Sequence, residues 1–130
     1  MRAITYRKYG PPEVLEFEEL PKPIPGPEQV LIKTHATTVT AGDWRARSLD
    51  LPPGFGLIGR LLFGIRGPRQ KVLGGELAGV VEAIGGSVTT FRVGDRVFRF
   101  TGAKLGCYAA FCCLPERGNL IHIPDNLNFE

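Results

Sequence analysis

Charge of one sign is scarce in this chain: sixteen Lys and Arg against thirteen Asp and Glu leave a formal net charge of +3 over 130 residues. That excess is too small to argue for a nucleic-acid partner without a clustered basic face, and no recognition motif for one is present. Histidine is nearly missing. His35 and His122 are the only two, and each stands in an alternating pattern opposite apolar neighbours, which reads as a structural side chain. The cysteines are only Cys107, Cys112 and Cys113. Their number is odd, the adjacent Cys112 and Cys113 can pair only with strain, and none has the Cys-x-x-Cys spacing of a structural zinc site, so reduced thiols and no metal are expected. No Gly-x-Ser-x-Gly elbow anchors a serine hydrolase. No run approaches the roughly 18 apolar residues of a membrane span, and the opening MRAITYRKYG lacks the apolar centre of a signal peptide. A soluble, cytoplasmic location is the expectation.

Glycine and proline, by contrast, are abundant, with seventeen of one and eleven of the other. They cut the chain into short pieces, several of which alternate apolar and polar residues as half-buried strands do. Ala3 to Tyr6 and Val14 to Leu20 flank the turn YGPPE and predict a hairpin. PKPIPGPEQ is a stiff connector. Val30 to Ala36 places Val30 and Ile32 on one face and Lys33 and His35 on the other. TAGDWRAR predicts a short helix with Thr40 or Asp43 near its cap. Leu77 to Ile84, bounded by glycine pairs, predicts a core strand, with Gly79 a point of close backbone approach. Arg96 to Phe100 comes after the turn at Gly94, and Cys107 to Leu114 and Leu120 to Ile123 complete the set. With 43% hydrophobic and 22% charged residues, the pattern describes one globular, mainly β domain of six to eight short strands closing as a barrel or sandwich, with two brief helical stretches.

One motif points elsewhere. GFGLIG, residues 54 to 59, matches the glycine fingerprint of a dinucleotide-binding loop, and Glu76 lies twenty residues after Gly56, about where a ribose-binding acid belongs. The fingerprint works only after a buried strand and before a long helix. Here Pro52 and Pro53 precede it, and Gly64, Gly67 and Pro68 interrupt the residues after it, so a glycine-rich loop with a short helical turn is expected. The same stretch sets Arg60, Arg66, Arg69 and Lys71 among Leu61, Leu62, Phe63 and Ile65. That mixture suits a membrane-surface helix, but its internal glycines favour a solvated loop.

Longer strings carry a resemblance. GGELAGVVEAIGGSVTTFRVGDRVF (74 to 98), YAAFCCLPERGNLIHIPDNLNFE (108 to 130), the opening MRAITYRKYGPPEVLEFEELPKPIPGPEQVLIKTHATTV and the adjoining TAGDWRAR closely resemble the N-terminal, GroES-like catalytic domain of medium-chain dehydrogenases and reductases. The likeness spans nearly the whole chain and is least diagnostic over residues 50 to 71. It is to the zinc-independent branch of quinone reductases and NAD(P)-dependent alcohol dehydrogenases. Thr40 stands where the zinc enzymes carry a cysteine, and Gly74-Gly75-Glu76 has glycine in place of their histidine. The resemblance implies a GroES-like, partly open β-barrel with short helices over residues 1 to 130. The Rossmann-type domain that binds NADPH or NADH in such enzymes would lie beyond Glu130.

It further implies hydride transfer to a quinone, enone or carbonyl substrate without zinc. Thr40 and Asp43 are the catalytic candidates and Arg45 the substrate-binding one. No cofactor-binding residue is assigned in this chain. Glu76 is expected to hydrogen-bond backbone rather than to donate a proton, and Ala110 replaces a glutamate common in relatives. Neither nucleic acid nor membrane is an expected partner, and a homodimer is possible in the full-length protein. The isolated domain is expected to be inactive. The alternative is a stand-alone GroES-like binding or assembly module with no enzymatic activity.

Overall fold

The computed structural model describes residues 1–130, the side chain of Ala103 excepted. Strands β1 (Arg2–Tyr6) and β2 (Leu15–Glu19) form the expected antiparallel hairpin, with Arg2 opposite Glu19 and Tyr6 opposite Leu15. The other five strands are β3 (Gln29–Ala36), β4 (Glu76–Ile84), β5 (Arg96–Phe100), β6 (Phe111–Pro115) and β7 (Leu120–His122), and they make one antiparallel sheet in the order β6-β3-β4-β5-β7. Helices α1 (Ala41–Ser48) and α2 (Gly56–Phe63) both fall in the long connection from β3 to β4. Short 3-10 turns cover Pro12–Val14 and Gly102–Lys104.

The alternation predicted for β3 holds at its core face, where Val30 and Ile32 are fully buried while Lys33 and His35 are exposed. Leu31, on the opposite face, is buried as well. Val30 and Ile32 join Leu77, Val81, Val97, Cys107, Cys112 and Leu120 in the main core. A smaller core of Tyr6, Val14, Ala46, Leu73 and Leu105 ties the hairpin to α1. Gly79 is required where β4 meets β3, because a Cβ there would lie 2.2 Å from the Lys33 carbonyl oxygen. Gly94 takes a φ of 97° at the turn into β5, where a side chain would be strained.

Two sequence expectations are corrected. The sheet does not close on itself: β6 and β7 are its edges, and the β1–β2 hairpin bridges instead to residues outside the named strands, at Ala3–Ala109 and Thr5–Val72. The result is the partly open barrel rather than a closed one. The strand expected from Cys107 begins only at Phe111. Residues 107 to 110 turn aside because their polar groups are divided among several partners: Ile4 N–H donates to the Tyr108 carbonyl and Ala110 N–H to the Arg2 carbonyl, while the Cys107 and Tyr108 amides donate to the Gly74 and Leu73 carbonyls.

Candidate active site at the start of helix α1

Thr40 and Asp43 meet, as their spacing predicts. Thr40 has extended backbone and caps α1. Its N–H donates to Asp43 Oδ2 at 2.9 Å, and its hydroxyl lies 2.8 Å from the same oxygen. The hydroxyl oxygen in turn accepts from Asp43 N–H at 3.3 Å, which completes a capping box. The second carboxylate oxygen, Asp43 Oδ1, accepts the buried Gly74 N–H at 3.1 Å. Asp43 is only 2% exposed. Its burial is tolerable because both oxygens are hydrogen-bonded. Asp43 therefore ties the N-terminus of α1 to the glycine pair that precedes β4.

Arg45 is not brought to this cluster. Its side chain is exposed and borders a separate groove of about 280 Å³ with Leu51, Phe55 and Ile58. It is Arg47, two residues further along α1, that is buried, and its guanidinium donates to the Gly10 carbonyl at 2.9 Å.

Three residues absent from the sequence-based set complete the neighbourhood. The Tyr108 hydroxyl donates to the Thr38 carbonyl at 3.0 Å. Burial, reinforced by the negative charge of Asp43 beside it, pushes the Tyr108 phenol well above its ordinary range, so it stays a neutral donor at physiological pH. Thr38 donates its hydroxyl to Glu76 Oε2 at 2.6 Å, and Thr37 donates to the Glu76 carbonyl at 2.6 Å. Glu76 thus accepts from a side chain, not from backbone as expected. A signal was available in the cluster of threonines between the end of a strand and a helix cap. Tyr108 carried none, since it is 70 residues from Thr38.

Two cavities flank the segment from Thr37 to Asp43. The larger, about 510 Å³, is mostly apolar, with Phe17, Val39, Trp44 and Leu73 in its wall beside the polar residues Arg2, Thr34, Asp43, Arg47 and Tyr108. The smaller, about 240 Å³, lies between Thr38, Glu76, Phe98 and Phe129. Thr37 borders both. Cys107 lies at the wall of the larger cavity. Its thiol donates to the Thr101 hydroxyl at 3.9 Å, and the neighbouring Cys112 thiol lowers the Cys107 pKa below the ordinary thiol value while that of Cys112 is raised. All three cysteines are free thiols.

The glycine fingerprint dissolves at the same level. Coil comes after α1 and leads into GFGLIG with no strand before it, the helix opens at Gly56 and ends at Phe63, and Glu76 is engaged by Thr38. Both histidines are exposed. His35 stacks on Phe129 with ring centroids 4.4 Å apart, and His122 on Phe91 at 4.8 Å.

The family profile described as the alcohol dehydrogenase GroES-like domain matches residues 26–125. The chain belongs to that family. This GroES-like domain is 39% identical over 129 residues to a quinone oxidoreductase from Pseudomonas aeruginosa, covering 99% of this chain and 35% of that protein. It is 34% identical to a quinone oxidoreductase from Mus musculus, covering 100% of this chain and 35% of the relative. The domain therefore spans about a third of the length of the curated relatives it matches. Among solved structures, a quinone oxidoreductase from Pseudomonas syringae superposes with a TM-score of 0.79 at 36% identity, over 98% of this chain and 35% of the other. The quinone oxidoreductase from Escherichia coli in complex with NADPH gives 0.79 at 26% identity, over 99% and 35%. These relatives place the GroES-like domain among medium-chain dehydrogenases and reductases.

Proposed function

We propose that this domain is the substrate half of a zinc-independent, NAD(P)H-dependent oxidoreductase that reduces a quinone, enone or carbonyl compound by hydride transfer. The observation that carries the reading is the 510 Å³ apolar cavity beside the Thr37–Asp43 segment. That size and lining suit a small ring compound, and few but convergent polar groups orient it. The cofactor, when bound, supplies the hydride; the domain supplies position and electrostatics. GFGLIG has no strand before it, so the proposal assigns the cofactor's pyrophosphate elsewhere. In this reading a separate dinucleotide-binding domain holds it.

Developing negative charge on the substrate oxygen needs a donor. Tyr108, in the cavity wall, is the neutral donor in the proposal, and Thr40, which lines neither cavity, is the second, reaching the substrate only when its hydroxyl turns from Asp43 Oδ2. Asp43 lines the cavity and also fixes Thr40 and the Gly74 amide, so it both borders the substrate and positions the segment. Arg45, whose groove shares no lining residue with this cavity, has no part in the proposal.

Trp44 is the only tryptophan and lies in the cavity wall. Tetramethyl-1,4-benzoquinone, which has no free ring position for thiol addition, is expected to quench Trp44 fluorescence saturably, and Val39→Phe, which narrows the cavity without adding a tryptophan, to weaken the quenching. Quenching that stays linear with quinone concentration would remove the cavity from the proposal. The purified 130 residues should not oxidise NADPH with this quinone. In the longer enzyme carrying the domain, Thr40→Val should lower kcat by about a hundredfold to a thousandfold, the scale of a lost oxyanion donor. Unchanged turnover would exclude Thr40 as a catalytic residue.

A further inference from the structure

Six large apolar side chains crowd eleven consecutive residues of the connection between α1 and β4: Phe55, Leu57, Ile58, Leu61, Leu62 and Ile65 are each between 51% and 73% exposed. Single exposed apolar residues are ordinary, but a contiguous set of this kind marks a surface with a partner. The reason they face outward is local. Helix α2 packs inward through Gly59, its only buried residue, so closely against Leu51 that a Cβ would lie 2.0 Å from Leu51 Cδ1. With a glycine as the contact face, the bulky residues are left on the outside. The helix end is held in place by the Tyr9 hydroxyl on the Gly64 carbonyl at 2.8 Å and by Arg69 N–H on the Phe63 carbonyl at 2.8 Å. The glycines that argued for a solvated loop instead seat and terminate a helix.

Charge selects the partner. Between Asp50 and Glu76 there is no acidic residue, while Arg60, Arg66, Arg69 and Lys71 are all exposed. None of the four forms an ion pair among the described residues. A face that is aliphatic at its centre and cationic around it matches the headgroup boundary of an anionic bilayer. Nucleic acid is matched less well, because stacking needs aromatic rings and Phe55 alone offers an exposed one here. A second copy would set like charges against each other.

We propose that α2 and the segment through Lys71 form a docking surface for anionic phospholipid membranes. The inference stands on this surface alone and does not rest on the oxidoreductase reading. Its test needs no turnover: the chain is sedimented with vesicles of phosphatidylcholine, with and without phosphatidylserine. Binding to the serine-containing vesicles should be about tenfold stronger or more and should fall as salt is raised, as expected for several cations at a charged surface. Leu57→Ser with Leu61→Ser and Leu62→Ser should abolish it, as should Arg66→Glu with Arg69→Glu, whereas Ile24→Ser, at an exposed apolar residue elsewhere, should leave it unchanged. All these positions are exposed, so the fold tolerates the substitutions. Equal binding to both vesicle types, or binding that survives both sets of substitutions, overturns the proposal. So does an interaction with RNA, or self-association, that the same substitutions abolish while vesicles are ignored.

Discussion

Asp43 holds three donors at once, the amides of Thr40 and Gly74 and the Thr40 hydroxyl. Its loss therefore reaches further than the loss of a helix cap. Thr40→Ala removes one cap and should cost about 1 kcal/mol. Asp43→Ala also strands the buried Gly74 amide, which adds about 1–3 kcal/mol. Urea unfolding of the two variants separates these contributions, and equal costs would show that the Gly74 contact contributes nothing. The Thr40–Asp43 pairing was legible because a capping box needs only residues three apart on one segment. The junction with Gly74 and the approach of Tyr108 were not, because they join parts of the chain 31 and 70 residues apart.

Strands β3 and β4 are the centre of the sheet, and the quality of their pairing depends on Gly79. A methyl group at that position meets the Lys33 carbonyl oxygen at 2.2 Å and Ile32 Cγ2 at 2.9 Å. Neither a paired backbone oxygen nor a core side chain can retreat easily, so Gly79→Ala should destabilise the domain by about 1–3 kcal/mol. Gly86→Ala is the matched control, since nothing lies within 4 Å of the added carbon; its thermal midpoint should stay near that of the parent. Strand positions were legible from their period of two and their glycine and proline boundaries. The stretch from Cys107 to Ala110 misled because its apolar character suits a strand, while its hydrogen bonds are divided between the hairpin, the Leu73–Gly74 segment and β3. Helix α2 was underestimated for a related reason: glycine weakens a helix in isolation, but Gly59 lets this one seat on Leu51.

Across the molecule, the smaller core that joins hairpin to α1 contains Tyr6, which is 1% exposed. Burial first, and the neighbouring Tyr9 second, push its phenol from 10.0 up to about 12. A pKa raised in the folded state means that the fold favours the protonated phenol. The associated stability is complete below pH 10 and is lost as pH rises toward 12, amounting to roughly 2 kcal/mol. Tyr9 and Tyr108 are shifted in the same direction, also by burial first. Stability measured by urea unfolding should accordingly fall between pH 10 and pH 12, and Tyr6→Phe should make that fall shallower. A parallel loss in the parent and in Tyr6→Phe would place the alkaline weakness elsewhere.

The amino-acid sequence by itself determined the class of fold, seven strands close to their observed positions, the cap of α1 and the family, because each depends on local period, turn chemistry or strings of contiguous residues. It also argued against GFGLIG as a phosphate loop, since proline before it and glycine after it act within a few residues. Only the tertiary structure decided that the sheet stays open, that Arg45 and Asp43 border different cavities, that Tyr108 joins Thr38, and that the apolar side chains of α2 face outward. Those outcomes depend on which distant surfaces meet, and burial is a property of the assembled chain that no short window of sequence contains.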